Sequence, residues 1–175
     1  MIAKQDFKKA TMAYIQNKEI IKSQFSGELY SLELEKNELN DIFDKCASTD
    51  ILYKAKSGLI YGVAMRVNFT PKYHKSVTIR YKRWTGTKTE YQKTIDAIKN
   101  NSINSAVGIQ IDVDEKLCIK SGIIYDRYGL YTKIENEKES FLSQNLRTCY
   151  EGNKFFYITY PEFNNLEIKH KLFQS

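Results

Sequence analysis

An α/β fold, in which helices flank a central mixed β-sheet, follows from three observations on this 175-residue chain. From Leu59 to Phe69 every odd position is apolar (Leu59, Tyr61, Val63, Met65, Val67, Phe69), the period of a strand with one core face. "AVGIQIDV" repeats that period with Val107, Ile109, Ile111 and Val113 inward. Between the two, "TEYQKTIDAIKNN" switches to helical spacing. There Thr89 and Gln92 fit a capping box, and Tyr91, Ile95 and Ile98 mark the buried stripe.

The remaining elements follow in chain order. Residues 2–24 carry Phe7, Ala10, Tyr14 and Ile21, with Phe25 just beyond, among lysines, which predicts an amphipathic helix. "SGELYSLELEK" alternates Tyr30, Leu32 and Leu34, as a short strand or the extended entry to a helix does. "NELNDIFDKCAS" returns to helical spacing through Leu39, Ile42, Phe43 and Cys46. "KSG" turns the chain from a short strand at "DILYKA" into the long strand. "SVTIRYKRW" alternates again, with Val77, Ile79 and Tyr81 inward and Thr78, Arg80, Lys82 and Trp84 outward. A tight "DEK" turn pairs "AVGIQIDV" with "LCIKSGIIY" as a hairpin, whose outer face would hold Gln110, Asp112 and Asp114. "EKESFLSQNLR" reads as a helix and "KFFYITY" as a late strand, while the tail from Pro161 fits either. One domain over residues 1–175 is expected from the length.

Composition narrows the function classes. Thirteen tyrosines and nine phenylalanines are a heavy aromatic load, and two prolines with eight glycines argue against a disordered chain. Cys46, Cys118 and Cys149 are odd in number and lack CxxC spacing, so they read as reduced cytosolic thiols and place the protein in the cytoplasm. No apolar run approaches the roughly 18 residues that a membrane span needs. The net charge of +6 permits binding of a polyanion, and its distribution points to one place. Between residues 72 and 93, seven lysines and arginines face a single acid, Glu90, with Tyr73 and Trp84 interleaved. Arg80, Lys82, Arg83, Trp84 and Lys88 are the residues expected to contact DNA or RNA, through phosphates and base stacking.

The order helix, strand, strand, strand, helix, strand over residues 37–114, with Asp50 opening the hairpin, resembles the core of the PD-(D/E)XK nucleases. The resemblance implies an αβββαβ core, extended by an N-terminal helix and a C-terminal segment. It also implies a Mg²⁺-dependent nuclease in which Asp50 matches the first metal-binding aspartate. The acid-x-lysine element falls on Ala64-Met65-Arg66. Alanine supplies no oxygen to a hard cation, and arginine stays protonated, so Arg66 serves as a phosphate clamp rather than a base. Two resolutions stand side by side. In one, Glu90 replaces the lost carboxylate, giving Asp50, Arg66 and Glu90 as the catalytic set with Mg²⁺ on Asp50 and Glu90. In the other, the site is inactive and the scaffold only binds. A protein of that second kind would be a binding or inhibitor protein, for instance a phage or mobile-element product acting on a host nuclease or ribonucleoprotein.

Overall fold

The computed structural model describes residues 2–31, 49–102, 105–149 and 151–174. The helix expected over 37–48, with Cys46, lies outside the described residues. A 22-residue helix, α1 (Ile2–Ser23), opens the chain and buries Ala13, Tyr14 and Ile21. Strands β1 (Glu28–Ser31) and β2 (Ile51–Lys54) pair antiparallel, and β2 turns into β3 (Ile60–Asn68). That turn is "KSG": Gly58 takes φ 85°, a conformation glycine adopts freely, and its N–H donates to Ala55 O at 2.9 Å. Leu59 stays outside β3 and is exposed at the hairpin tip.

After β3 come β4 (Ser76–Lys82), α2 (Glu90–Lys99), β5 (Val107–Val113) and β6 (Ile119–Asp126). Both halves of the predicted capping box form on α2: Gln92 N–H donates to Thr89 Oγ1, and Thr89 N–H donates to Gln92 Oε1. The chain continues through α3 (Arg127–Asn136), α4 (Lys138–Gln144), β7 (Leu146–Thr148), β8 (Lys154–Thr159), α5 (Tyr160–Asn164) and β9 (His170–Phe173). The undecided tail therefore contributes a short helix and an edge strand. Among the described residues no helix is long and apolar enough to cross a membrane.

These elements make a mixed α/β fold with two sheets. Six strands form the first, in the order β1-β2-β3-β5-β6-β9, with β3 and β5 parallel and the other neighbours antiparallel. The second holds β4-β8-β7, all antiparallel. One face of the large sheet, through Ile51, Val63, Ile109, Ile111 and Val113, packs under α1. A second core joins Val77 and Ile79 of β4, Phe156 and Ile158 of β8, and Ile123 and Tyr125 of β6 to helices α2–α5.

Two expectations are corrected here. The single-sheet αβββαβ core does not form, because β5 pairs along β3 in parallel and β4 is displaced into the second layer. A parallel pair needs a long crossover, and β4 with α2 supplies it. The polar face of β5 is not a wet hairpin exterior either: Gln110 is 1% and Asp112 0% exposed. The second sheet covers that face, and Thr78, expected outside, is buried with it.

Candidate nucleic-acid interface and arginine cleft

The seam between the sheets sets the geometry of the candidate site. Strand β4 pairs with β8 along one edge only, which leaves peptide groups on the other edge to be satisfied. Gln110 supplies both partners: Thr78 N–H donates to its Oε1 at 3.0 Å, and its Nε2 donates to Ser76 O. Asp112 takes the next groups along. It accepts from Lys75 N–H at 2.8 Å, Asn68 Nδ2 at 3.0 Å, Ser121 Oγ at 2.5 Å and Tyr160 OH at 3.4 Å. This buried acid is thus a structural acceptor joining β3, β4, β5, β6 and α5.

Beside the seam the sheets part around a cleft of about 210 Å³, lined by Arg66 and Asn68 of β3, Tyr73 of the turn before β4, Thr78 and Arg80 of β4, and Cys149, Glu151, Asn153 and Phe155. Asn68 and Thr78 belong to both seam and cleft. Arg66 is partly buried and Arg80 exposed, and among the described residues neither has an ion-pair or hydrogen-bond partner. Burial pulls the Arg66 guanidinium below its ordinary pKa; Glu90 opposes that shift and the like charge of Arg80 adds to it. Tyr73 meets the Phe155 ring edge-on, at 5.7 Å between centroids and 88° between planes, and walls the cleft with aromatic surface.

Arg66, Thr78 and Arg80 also border an inner chamber of about 30 Å³ with Glu90, Tyr125, Arg127 and Tyr131. That volume admits a water or two. Arg127, 1% exposed, donates from Nη1 to Ser105 O at 3.3 Å and stands 5.0 Å from the Tyr131 ring centroid.

Of the three catalytic candidates, Arg66 and Glu90 therefore share one chamber, and Asp50 is not among its lining residues. The Asp50 backbone N–H donates to Val63 O at 3.0 Å, and its Oδ2 accepts from Met65 N–H at 2.6 Å. It continues the β2–β3 ladder past the end of β2. Among the described residues no group of three or more His, Cys, Asp or Glu side chains is arranged to hold a metal ion. Asp114, the second acid of the Gln110/Asp112/Asp114 alternation, sits in the turn, where it accepts from Lys116 and Cys118 N–H and pairs with Lys120 at 3.0 Å.

The predicted nucleic-acid residues divide by environment. Arg80 and Lys82 are exposed on β4, and Trp84, just beyond, is 70% exposed with its backbone N–H on Asn153 Oδ1. Arg83 folds back, donating from Nη1 to Thr87 Oγ1 at 3.4 Å. Lys88 is paired with Asp96 at 2.5 Å. A cation that the sequence reading omitted stands at the same end of the sheet: Lys154 of β8 is opposite Lys82, past a register shift between Arg80 and Lys82, and both lysines are exposed. Phe155 stands opposite Arg80 and, one residue along from Lys154, belongs to the other face of β8. Neither partner was legible beforehand, since alternation within a strand does not name its neighbour. Arg127 was missed because residues 127–136 show no clean apolar stripe.

The chain matches no known protein family, and no curated protein or solved structure is similar to it.

Proposed function

We propose that the protein binds nucleic acid, with the exposed Lys82–Lys154 end of the second sheet against the phosphate backbone. The observation that carries this reading is the cross-strand pair Lys82–Lys154, with the exposed Trp84 two residues beyond Lys82. Like charges directly opposite each other on a sheet are destabilising, and among the described residues neither lysine has a counter-ion. A strand of phosphates relieves that repulsion, and an exposed indole gives any base a stacking surface. Labelled single- and double-stranded DNA and RNA, titrated across salt concentrations, test it. Affinity should fall steeply with salt, and Lys82→Ala should reduce the log–log salt slope by about one. Affinity that ignores salt would sink the proposal.

A second reading, Mg²⁺-dependent hydrolysis, draws on the chamber shared by Arg66 and Glu90, where the acid's charge acts on the guanidinium. It requires the Asp50 carboxylate to leave Met65 N–H and join Glu90 on the cation. Cleavage that stops with chelator and is lost in Asp50→Ala and Glu90→Ala supports it; binding unaffected by chelator and without cleavage excludes it. A chain that neither binds nor cuts, and that holds a host nuclease in an inactive complex, is the inhibitor instead.

A further inference from the structure

We infer that the Arg66/Arg80 cleft is a subsite for a single nucleoside phosphate. The inference rests on the nucleic-acid reading for its source, a nucleotide of the bound strand turned inward from the Lys82–Lys154 end. Two guanidiniums without ion-pair or hydrogen-bond partners among the described residues border one opening; burial, and after it the charge of Arg80, pulls Arg66 below its ordinary pKa. An anion between them removes the repulsion and restores to Arg66 the solvation that burial has taken away. The planar fork of arginine matches the oxygens of a phosphate.

The rest of the lining distinguishes a nucleotide from a bare anion. Tyr73 and Phe155 form an aromatic wall, the surface on which a base stacks. At the rim Asn153 donates from Nδ2 to Glu151 Oε2 at 3.2 Å, leaving acceptor positions on the carboxylate for base N–H groups or sugar hydroxyls. The cleft, at about 210 Å³, is below the usual size of small-molecule sites, so it takes the phosphate and one edge of the nucleotide while the rest stays at the rim. Arg80 is exposed, lines this cleft and precedes Lys82 by two residues on β4, so a strand held at Lys82 and Lys154 passes close to the opening.

The test uses the full chain and four probes: adenosine and uridine 5′-monophosphates, the matching nucleosides, inorganic phosphate, and a labelled single-stranded oligonucleotide. Trp84 is the one tryptophan, and its backbone N–H donates at 3.3 Å to Asn153 of the cleft lining, so its fluorescence is the first readout. The monophosphates should bind about tenfold or more tightly than either nucleosides or phosphate, and Arg66→Met or Arg80→Met should weaken them about tenfold or more. Arg80 is exposed, so its variant keeps the test open if Arg66→Met melts early. Equal affinity for inorganic phosphate and monophosphates overturns the base wall. Oligonucleotide binding without monophosphate binding, unchanged in Arg66→Met, overturns the subsite and leaves the nucleic-acid reading standing. Monophosphate binding that needs both arginines, with no oligonucleotide bound, supports a subsite for free nucleotides and overturns the nucleic-acid reading.

Discussion

Replacing Asp112 with alanine removes the acceptor shared by four donors across the buried seam. The Lys75 N–H is fixed by the backbone and cannot turn elsewhere, whereas Ser121 and Tyr160 hydroxyls can rotate and Asn68 Nδ2 keeps Tyr73 O at 3.2 Å. Charging about 2 kcal/mol for the stranded amide and about 1 kcal/mol for each hydroxyl gives a loss near 4 kcal/mol. For a domain of this size that lowers Tm by about 8–16 °C, read by circular dichroism during heating and checked by urea denaturation. Gln110→Ala strands Thr78 N–H and Ser76 O on the same strand, so the double variant should lose less than the sum of the singles. A drop in Tm below about 2 °C for Asp112→Ala would mean that the seam does not hold the second sheet in place.

Three further outcomes are expected. Thr89→Ala removes a fully buried N-cap hydroxyl from α2 and should cost about 1 kcal/mol in a denaturant titration, with Ser restoring most of it. At Gly108 an added Cβ would lie 2.3 Å from the Tyr125 ring on the paired strand, so Gly108→Ala should destabilise by about 1–3 kcal/mol, partly relieved by trimming Tyr125 to Leu. The Asp114 carboxyl is held below its usual pKa chiefly by Cys118 N–H, then by Lys120. A group depressed in this way adds stability that is whole above the unfolded value, about 3.9, and disappears as pH falls through the folded one. Asp114→Asn should therefore flatten the Tm–pH profile below about pH 4, and an unchanged acid limb would refute that assignment.

Local chemistry was legible where one element carries its own instructions. The odd-position apolar residues of β3, the Thr89/Gln92 box and the "DEK" hairpin all depend on neighbours a few residues away. What the sequence reading could not supply was the partner across space. The Val77/Ile79/Tyr81 alternation marks a strand but is silent on whether β3 or β8 lies beside it. Gln110 and Asp112 alternate with apolar residues as a solvated face would, and only a second sheet makes them interior. Helix α3 escaped because Arg127 and Tyr131 are themselves part of its buried side, and Gly129 interrupts its first turn, where its N–H caps onto Asp126. For the site, Arg66 and Arg80 were singled out for separate roles, and it took the layering of two sheets to bring them to one cleft.

Gln110 presents a carbonyl and an N–H in the spacing of a peptide group, and so occupies the flank of β4 where an incoming strand would dock. A flank filled in this way offers no template for a neighbouring molecule. Among the described residues the remaining flanks are short: β7 has three residues, and β1 and β9 have four each. A tyrosine- and phenylalanine-rich chain with two sheets is thereby guarded against polymerising with copies of itself, and losing Gln110 should bring fibre formation as well as weaker folding.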